Sequence, residues 1–370
     1  MHVGMTQFFQ ADGGDLSDEQ VLAADLALAD LAEPLGFDSI WGVEHHFTGY
    51  TMSPSPLQFL TYMAGRTSRI KLGSMVIVLP WHDPVRIAEE IVLLDHMSGG
   101  RFILGLGRGT GRIEFEGLRV PMESARERFL ESAQALMAAL ETGYMEYHGE
   151  HIDIPRVELR PRPLASFSER IYSATVSPES ARLMAQLGTG VLIIPQKPWK
   201  SIKADTDAYR DVYLEAIGQE PPPPIISEWV FVDESADRAE ELARTYLARY
   251  WQSIVDHYEF AQPHLKTTKG YEFHGQTYDK LTAPGGMEKM TEFYIGLHPF
   301  GTPEQVAEKI ISDADLLGAD TFLGVFRYGG MPPAEAERNI RLFTDRVMPQ
   351  LKAHRHVRTP SLRVPAAVPA

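Results

Sequence analysis

The chain has 370 residues, of which 44% are hydrophobic, and 50 acidic against 35 basic residues give it a formal net charge of −15. Enough apolar residues are present for a large core, which excludes a globally disordered protein. The negative charge, without any run of lysine or arginine, argues against nucleic acid or an anionic membrane surface as a partner.

Cysteine is absent from the sequence, which excludes disulfides, thiol catalysis and cysteine-ligated metal. The first nine residues lack a basic region and a long apolar core, and no apolar run reaches the length that spans a membrane. We therefore expect a soluble, cytoplasmic protein.

Strand-like and helix-like segments alternate through eight rounds. The first strand runs to Phe9, and Ser17 with Gln20 forms a capping-box signature for the helix that follows. The other predicted strands cover residues 37–43, 70–79, 102–106, 171–175, 191–194, 225–232 and 321–326. The predicted helices cover residues 17–35, 56–63, 85–97, 123–140, 177–187, 200–217, 236–258 and 333–351, with a further one beginning at 302. Because parallel strands need crossover helices, this order predicts a (β/α)8 TIM barrel, with a doubly wound sheet as the alternative.

Three segments depart from the alternation. Residues 145–154 read as a small surface hairpin. Between Ala261 and Pro299 the pattern lapses among glycines and prolines, which predicts a long, mobile, lid-like insertion before the last strand. Residues 1–352 are expected to form a single barrel domain, and residues 353–370, with recurrent prolines, a disordered tail.

A candidate site follows the second strand, where an apolar run ends in Glu44, His45 and His46. Carboxylates and imidazoles are costly to bury without partners, so they indicate a site where this strand ends. Paired histidines also suit a metal, but the other strand ends supply no further ligands, and no metal is expected. The pocket that we expect at these strand ends suits a flat, partly apolar substrate. The expected substrate-pocket residues are Phe8, His46, Phe47, Pro195 and Trp251.

Two turns after strands four and five are ambiguous by themselves. The glycines around Arg108 allow either close backbone approach to a ligand, with the arginine as a charge clamp, or an ordinary flexible turn. Ser177 and Ser180 begin a helix whose free N–H groups can hold an anion, yet Ser177 is also an ordinary N-cap before Pro178. Since the two strands are neighbours, Arg108 could complete a phosphate site there.

Longer motifs resemble the luciferase-like flavin monooxygenases, and within them the alpha subunits of bacterial luciferase. The resemblance covers nearly the whole chain in order. The matching segments are residues 44–48 (EHHFT), 77–80 (IVLP), 84–86, 88–89, 94–95, 97–102 (MSGGRF), 268–273 (TKGYEF) and 301–304 (GTPE).

The resemblance implies a barrel that binds FMN as FMNH2 and oxidises an organic substrate with O2 through a flavin hydroperoxide. His45 matches the catalytic histidine, Arg108 the clamp on the flavin phosphate, and Met75-Val76 a cis peptide beneath the flavin ring. The cofactor-binding residues expected on this basis are Glu44, Met75, Val76, Gly107, Arg108, Thr175, Val176, Ser177 and Ser180. The implied partners are a small apolar aldehyde, ketone or terpene, a separate NAD(P)H:flavin reductase and a second copy of the chain.

The chain departs from the luciferase pattern at two site positions. Gly107 replaces a reactive cysteine and Val176 replaces a glutamate, so the resemblance does not extend to light emission and does not single out an aldehyde among the possible substrates. Two alternatives stay open on the same fold: a dehydrogenase or reductase that uses the deazaflavin F420, and a flavin-binding protein without catalytic activity.

Overall fold

The computed structural model describes residues 1–11 and 13–354. Its strands are β1 (His2–Gln7), β2 (Ser39–Gly42), β3 (Lys71–Ser74), β4 (Ile77–Val78), β5 (Phe102–Gly107), β6 (Tyr144–His148), β7 (Asp153–Glu158), β8 (Ile171–Ala174), β9 (Gly190–Ile193), β10 (Ile225–Trp229), β11 (Phe231–Val232), β12 (Phe300–Gly301) and β13 (Thr321–Val325). Of the predicted disordered tail, Ala353 ends a helix and His354 follows it, and the rest lies outside the described residues.

Eight parallel strands close into a barrel in the order β1, β2, β3, β5, β8, β9, β10, β13, with β13 pairing again with β1. The predicted (β/α)8 barrel is therefore confirmed, and the doubly wound alternative is wrong because an open sheet would leave two unpaired edges. The predicted hairpin is also present, with β6 and β7 antiparallel outside the barrel.

Helices surround the barrel. They are α1 (Asp18–Ala29), α2 (Pro56–Arg66), α3 (Pro84–Ser98), α4 (Arg112–Leu118), α5 (Ala125–Thr142), α6 (Pro178–Leu187), α7 (Trp199–Ile217), α8 (Ala236–His257), α9 (Glu272–Thr282), α10 (Gly286–Ile295), α11 (Pro303–Leu317), α12 (Pro333–Leu342) and α13 (Met348–Ala353). Within the described part of the chain, no helix is both long and apolar enough to cross a membrane.

Local sequence signals set several helix ends. The Ser17 hydroxyl accepts from the Gln20 N–H, and the Gln20 side chain accepts from the Ser17 N–H, which confirms the predicted capping box. Helix α3 ends where Gly99 takes a left-handed conformation, with φ of 67°. Glycine adopts this conformation without the steric cost that a Cβ would add.

Two predicted strands are interrupted in the structure. The segment 70–79 divides into β3 and β4 at Met75 and Val76, which are joined by a cis peptide and lie outside both strands, and the Val78 N–H of β4 donates to the buried Glu44 carboxylate. The segment 225–232 divides because only β10 belongs to the barrel, whereas β11 pairs with β12 outside it.

The sequence pattern missed the helices that cross the mouth of the barrel. Helix α4 begins at the end of the glycine-rich turn around Arg108, in a stretch for which no element was predicted, and α9 and α10 occupy the insertion interpreted as irregular. Helix α9 buries only Gly275 and Leu281, so it carries almost no apolar stripe for a periodicity argument to detect. The insertion is therefore helical, while its mobility stays a prediction.

The barrel interior depends on close packing of Trp41 against glycine. A Cβ built on Gly73 would lie 2.2 Å from the fully buried Trp41 ring. We expect Gly73→Ala to lower the free energy of unfolding by about 1–3 kcal/mol, since an overpacked core must displace its neighbours. Chemical denaturation monitored by circular dichroism measures this change.

Gly65→Ala is the matched control for this prediction. Gly65 lies within α2, and a Cβ there would meet no atom within 4 Å. Alanine favours the helix by about 1 kcal/mol relative to glycine, so Gly65→Ala should leave stability unchanged or raise it. Equal destabilisation by both substitutions would contradict the packing argument.

Candidate functional site

A cavity opens where the barrel strands end. The turn around Arg108 after β5, the turn at Ser177 after β8 and the histidine motif after β2 all line it. It contains about 1180 Å³ of space, part of it open to solvent. The predicted catalytic and cofactor residues that line it are Glu44, His45, Met75, Val76, Gly107, Arg108, Val176, Ser177 and Ser180. Thr175 lines an adjoining cavity of about 410 Å³, which also includes Val176 and Ser177.

Glu44 is fully buried, and its hydrogen-bond partners are groups of the protein itself. Its carboxylate accepts from the Val78 N–H at 2.8 Å, from His82 Nε2 at 2.7 Å and from His46 Nε2 at 3.2 Å. Burial acts to raise the pKa of Glu44, but these hydrogen bonds outweigh it and lower the pKa below its ordinary value. Glu44 therefore fixes the segment after the third barrel strand to the end of β2.

Glu114 holds the imidazole of His45. Burial acts to raise the pKa of Glu114, but His45 and His257 outweigh it and lower the pKa to about 2. The ionised carboxylate can only accept, so His45 donates from Nδ1 to Glu114 Oε1 at 3.0 Å, and the His46 N–H donates to the same oxygen at 2.9 Å. A neutral His45 then carries no proton on Nε2, which can accept one.

A second histidine, from α8, approaches the same oxygen of Glu114. His257 Nε2 lies 3.4 Å from Glu114 Oε1, and His257 Nδ1 lies 2.8 Å from the Thr48 hydroxyl. The Tyr50 ring stacks on His257 with ring centroids 4.6 Å apart and meets His45 edge-on at 4.9 Å. These contacts fix both imidazoles in place.

Arg108 supplies positive charge without a carboxylate partner. Its guanidinium lies 4.2 Å from the centre of the Tyr271 ring and makes no ion pair with the described residues. Burial lowers the pKa of Arg108 from its ordinary value. A desolvated arginine with unused donors indicates an anionic ligand, because leaving such a charge unpaired is costly.

The N-terminus of α6 lies in the same cavity. Ser177 and Ser180 form a reciprocal capping box, in which each hydroxyl accepts from the backbone N–H of the other at 3.2 Å. The ordinary N-cap interpretation is therefore correct as far as it goes. Because both serines also line the cavity beside Arg108, the positive end of this helix is available to an anion as well.

The inserted segment 261–299 covers this charged region. The Tyr271 hydroxyl donates to the Gly109 carbonyl at 2.9 Å, and Arg126, which pairs with Glu179, reaches the Gly270 carbonyl at 3.4 Å. His274 also lines the cavity, and burial lowers its pKa to about 4, so it is neutral at neutral pH.

Between the His45 group and the charged region around Arg108, the cavity wall is formed by backbone and apolar groups. The Met75–Val76 peptide is cis, as the resemblance implies. A Cβ on Gly107 would lie 2.2 Å from the Val76 side chain, so only glycine keeps this wall in place without displacing it. Phe129, Leu130 and Met184 complete an apolar surface suited to a flat ring.

The residues predicted for the substrate pocket do not line this cavity. Phe47 is 58% exposed and rests on Gly117, because its backbone turns away with φ of 66°. His46 is held by Glu44 against Trp81. Phe8 packs against Trp229, Trp251 stacks on Tyr294, and Pro195 is buried between two residues that do line the cavity.

Sequence reasoning missed four residues of the site. They are Glu114, His257, Tyr258 and His274. None follows a barrel strand directly, and the sequence interpretation expected ligands and acids only at the strand ends. Periodicity offered no signal for them, because α4 is short and His257 is the last residue of a long helix.

These residues fit a flavin mononucleotide. The partnerless Arg108 and the N-terminus of α6 suit a phosphate, the apolar wall around Val76 suits a ring system, and His45 offers a hydrogen-bonding atom to the same cavity. The chemistry of this set matches a molecule that is anionic at one end and flat at the other.

Comparisons with known proteins identify the family and agree with the barrel fold. The family model for luciferase-like monooxygenases matches residues 1–321. An alkanal monooxygenase alpha chain of Photorhabdus luminescens is 29% identical over 344 residues, which cover 91% of this chain and 93% of that one.

Solved structures of similar shape come from two kinds of enzyme. Monooxygenase RslO1 of Streptomyces bottropensis superposes with a TM-score of 0.79 at 25% identity, covering 94% of this chain and 99% of that one. The oxygenating constituent of 3,6-diketocamphane monooxygenase of Pseudomonas putida, in complex with FMN, gives 0.72 at 22% identity, with coverages of 94% and 98%. An F420-dependent secondary alcohol dehydrogenase gives 0.70 at 16% identity, with coverages of 95% and 98%, so these last two likenesses show the fold alone.

The match of the family model over most of the chain, together with the alkanal monooxygenase relatives, decides the assignment. This chain belongs to the luciferase-like monooxygenase family and is a flavin-dependent oxidoreductase.

Proposed function

We propose that this chain is the oxygenating component of a two-component monooxygenase, which receives FMNH2 from a separate reductase and uses O2 to oxidise a small apolar organic substrate. The observation that carries the proposal is Arg108, a desolvated guanidinium without a carboxylate partner, in the same cavity as the Glu114-bound imidazole of His45.

The surroundings of Arg108 favour FMN over F420. A deazaflavin of the F420 type continues beyond its phosphate into a tail of glutamates, whereas FMN ends there. Tyr271 and Gly270 lie against Arg108 and close the cavity there, at the place where such a tail would have to pass.

In the proposed reaction, one oxygen atom of O2 enters the substrate and the other leaves as water, with two electrons and two protons consumed. When bound and reduced, the flavin supplies these two electrons. Arg108 and the N-terminus of α6 hold the phosphate end. His45, oriented by Glu114, holds or accepts a proton at Nε2.

Groups of the inserted segment, and the residue just before it, limit the access of water to the cavity. Phe260, which precedes the segment, and His274 within it line the cavity, and the Tyr271 hydroxyl donates to the Gly109 carbonyl. We propose that this segment acts as a lid, since a water-free cavity protects a reactive oxygenating species from breakdown. The apolar surface that remains suits an apolar aldehyde, ketone or terpene.

The test of this function compares two cofactors. The purified chain receives FMN, NADH and a flavin reductase in air, and O2 use and product are measured over a panel of aldehydes, ketones and terpenes. We expect one O2 consumed per product. Turnover with F420 under anaerobic conditions, and none with FMNH2 and O2, would replace the proposal with the dehydrogenase alternative; flavin binding without any turnover would favour the non-catalytic one.

The reductase partner belongs to the proposal, and its identity is open to the same assay. A homodimer and a cytoplasmic location stay predictions from the sequence and its family resemblance.

A further inference from the structure

We propose that His45, Glu114 and His257 form a binding site for a divalent transition-metal ion of the Zn²⁺ class. One ligand atom from each residue lies within 4.8 Å of the other two. The sequence had argued against a metal because no other strand end supplied ligands. Glu114 comes instead from α4 and His257 from α8, so the folded chain assembles the set that the strand ends lacked.

The spacing of the ligand atoms suits tetrahedral coordination. Bonds of about 2.0–2.2 Å from Zn²⁺ to nitrogen and oxygen place neighbouring ligand atoms roughly 3.3–3.6 Å apart. Glu114 Oε1 lies 3.0 Å from His45 Nδ1 and 3.4 Å from His257 Nε2. A bound ion replaces the proton that His45 shares with Glu114, and small side-chain shifts complete the site.

The carboxylate of Glu114 has unused capacity. Its Oε2 atom is buried and has no hydrogen-bond partner among the described residues. Buried polar oxygens are usually paired, so Oε2 is available to engage an ion that is bound through Oε1. Two imidazole nitrogens and a carboxylate oxygen form a set that zinc prefers, whereas calcium and magnesium favour oxygen ligands alone.

The residues that contact the proposed ligands from outside the site are also arranged as in metal sites. The second ring nitrogen of His257 lies 2.8 Å from the Thr48 hydroxyl, which orients Nε2 towards Glu114. Histidine ligands usually have such an outer partner. Gly111 leaves room beside them, because a Cβ there would lie 2.5 Å from Glu114 Oε2 and 3.2 Å from His257 Nε2.

Binding is measured on the flavin-free chain, so its outcome does not depend on the proposed function. Zn²⁺ affinity is determined by competition with a chelating dye, and Co²⁺ is added to record the strong visible absorption of four-coordinate cobalt. We expect His257→Ala to weaken Zn²⁺ binding by more than about 100-fold, because loss of an outer partner alone costs about 10- to 100-fold. Thr48→Ala should weaken it by about 10-fold for the same reason.

Gly111→Ala tests the site without changing a ligand. The backbone of Gly111 has φ of −70°, which alanine adopts freely, so the added methyl acts by crowding the Glu114 carboxylate and, less closely, the His257 Nε2 atom. We expect it to weaken Zn²⁺ binding by at least tenfold and to abolish the cobalt absorption. It also keeps the test decisive if His257→Ala does not fold.

His148→Ala is the control, since His148 forms an exposed cluster with Glu146 and Asp153 that could attract metal at the surface. We expect it to leave the tight site unchanged. Zn²⁺ binding that is lost in His148→Ala but kept in His257→Ala and Gly111→Ala would overturn the proposal, and so would the absence of any tight binding to the unaltered chain.

Discussion

FMN binding is expected to weaken by roughly 10- to 150-fold when Arg108 is replaced with alanine. A hydrogen bond to a charged group contributes about 1.5–3 kcal/mol, and Arg108 forms no ion pair with a described residue that would compete with the phosphate. Titration of the chain into FMN, followed by quenching of flavin fluorescence, measures the change in dissociation constant.

Riboflavin separates the phosphate from the ring. It carries the same ring system and lacks the phosphate, so Arg108→Ala should change riboflavin affinity by less than threefold. An equal loss for both ligands would show that Arg108 supports the ring wall or the fold and does not contact the phosphate. The difference between the loss of FMN affinity and the loss of riboflavin affinity in Arg108→Ala decides between these roles.

Arg182→Ala controls for net charge. Arg182 lies on the same helix, α6, but is exposed, so its removal subtracts one positive charge without changing the cavity. Exposed charges are screened by salt over about 10 Å at 0.1 M ionic strength. FMN affinity should therefore stay within twofold, and a larger loss would mean that the general field, not the contact, holds the ligand.

Residues that are close in sequence to a strand end could be placed from the sequence. Arg108 follows β5, Ser177 and Ser180 follow β8, and His45 follows β2, so the closure of a parallel barrel was enough to predict that they share one cavity. Local turn chemistry and strand alternation carry this information, because both depend on residues within a few positions of one another.

The other half of the site depends on tertiary packing. Glu114 and His257 are 143 positions apart and meet only because α4 and the end of α8 cross the same mouth of the barrel. Phe47 was misplaced for a related reason. The chain turns at this residue into a left-handed conformation that strand periodicity does not predict, and the ring then packs on α4.

Coupled turnover is expected to fall by about 10²- to 10⁴-fold in His45→Ala, the range that a positioned general acid or base contributes. O2 would still be consumed as reduced flavin reacts, so the ratio of product to O2 should fall below one. FMN affinity should change far less than in Arg108→Ala, because His45 is proposed to act on the reaction. Product and O2 are measured together, with the exposed His96→Ala as control.

Glu114→Gln tests whether the carboxylate acts through His45. An amide keeps the shape but can no longer accept from every neighbour as the carboxylate does, so the orientation of the imidazole is lost in part. We expect a smaller loss of coupled turnover than in His45→Ala, and no further loss when both substitutions are combined. If Glu114→Gln lowered turnover equally with and without His45, the carboxylate would act independently, and the orienting hydrogen bond at 3.0 Å would not be its role.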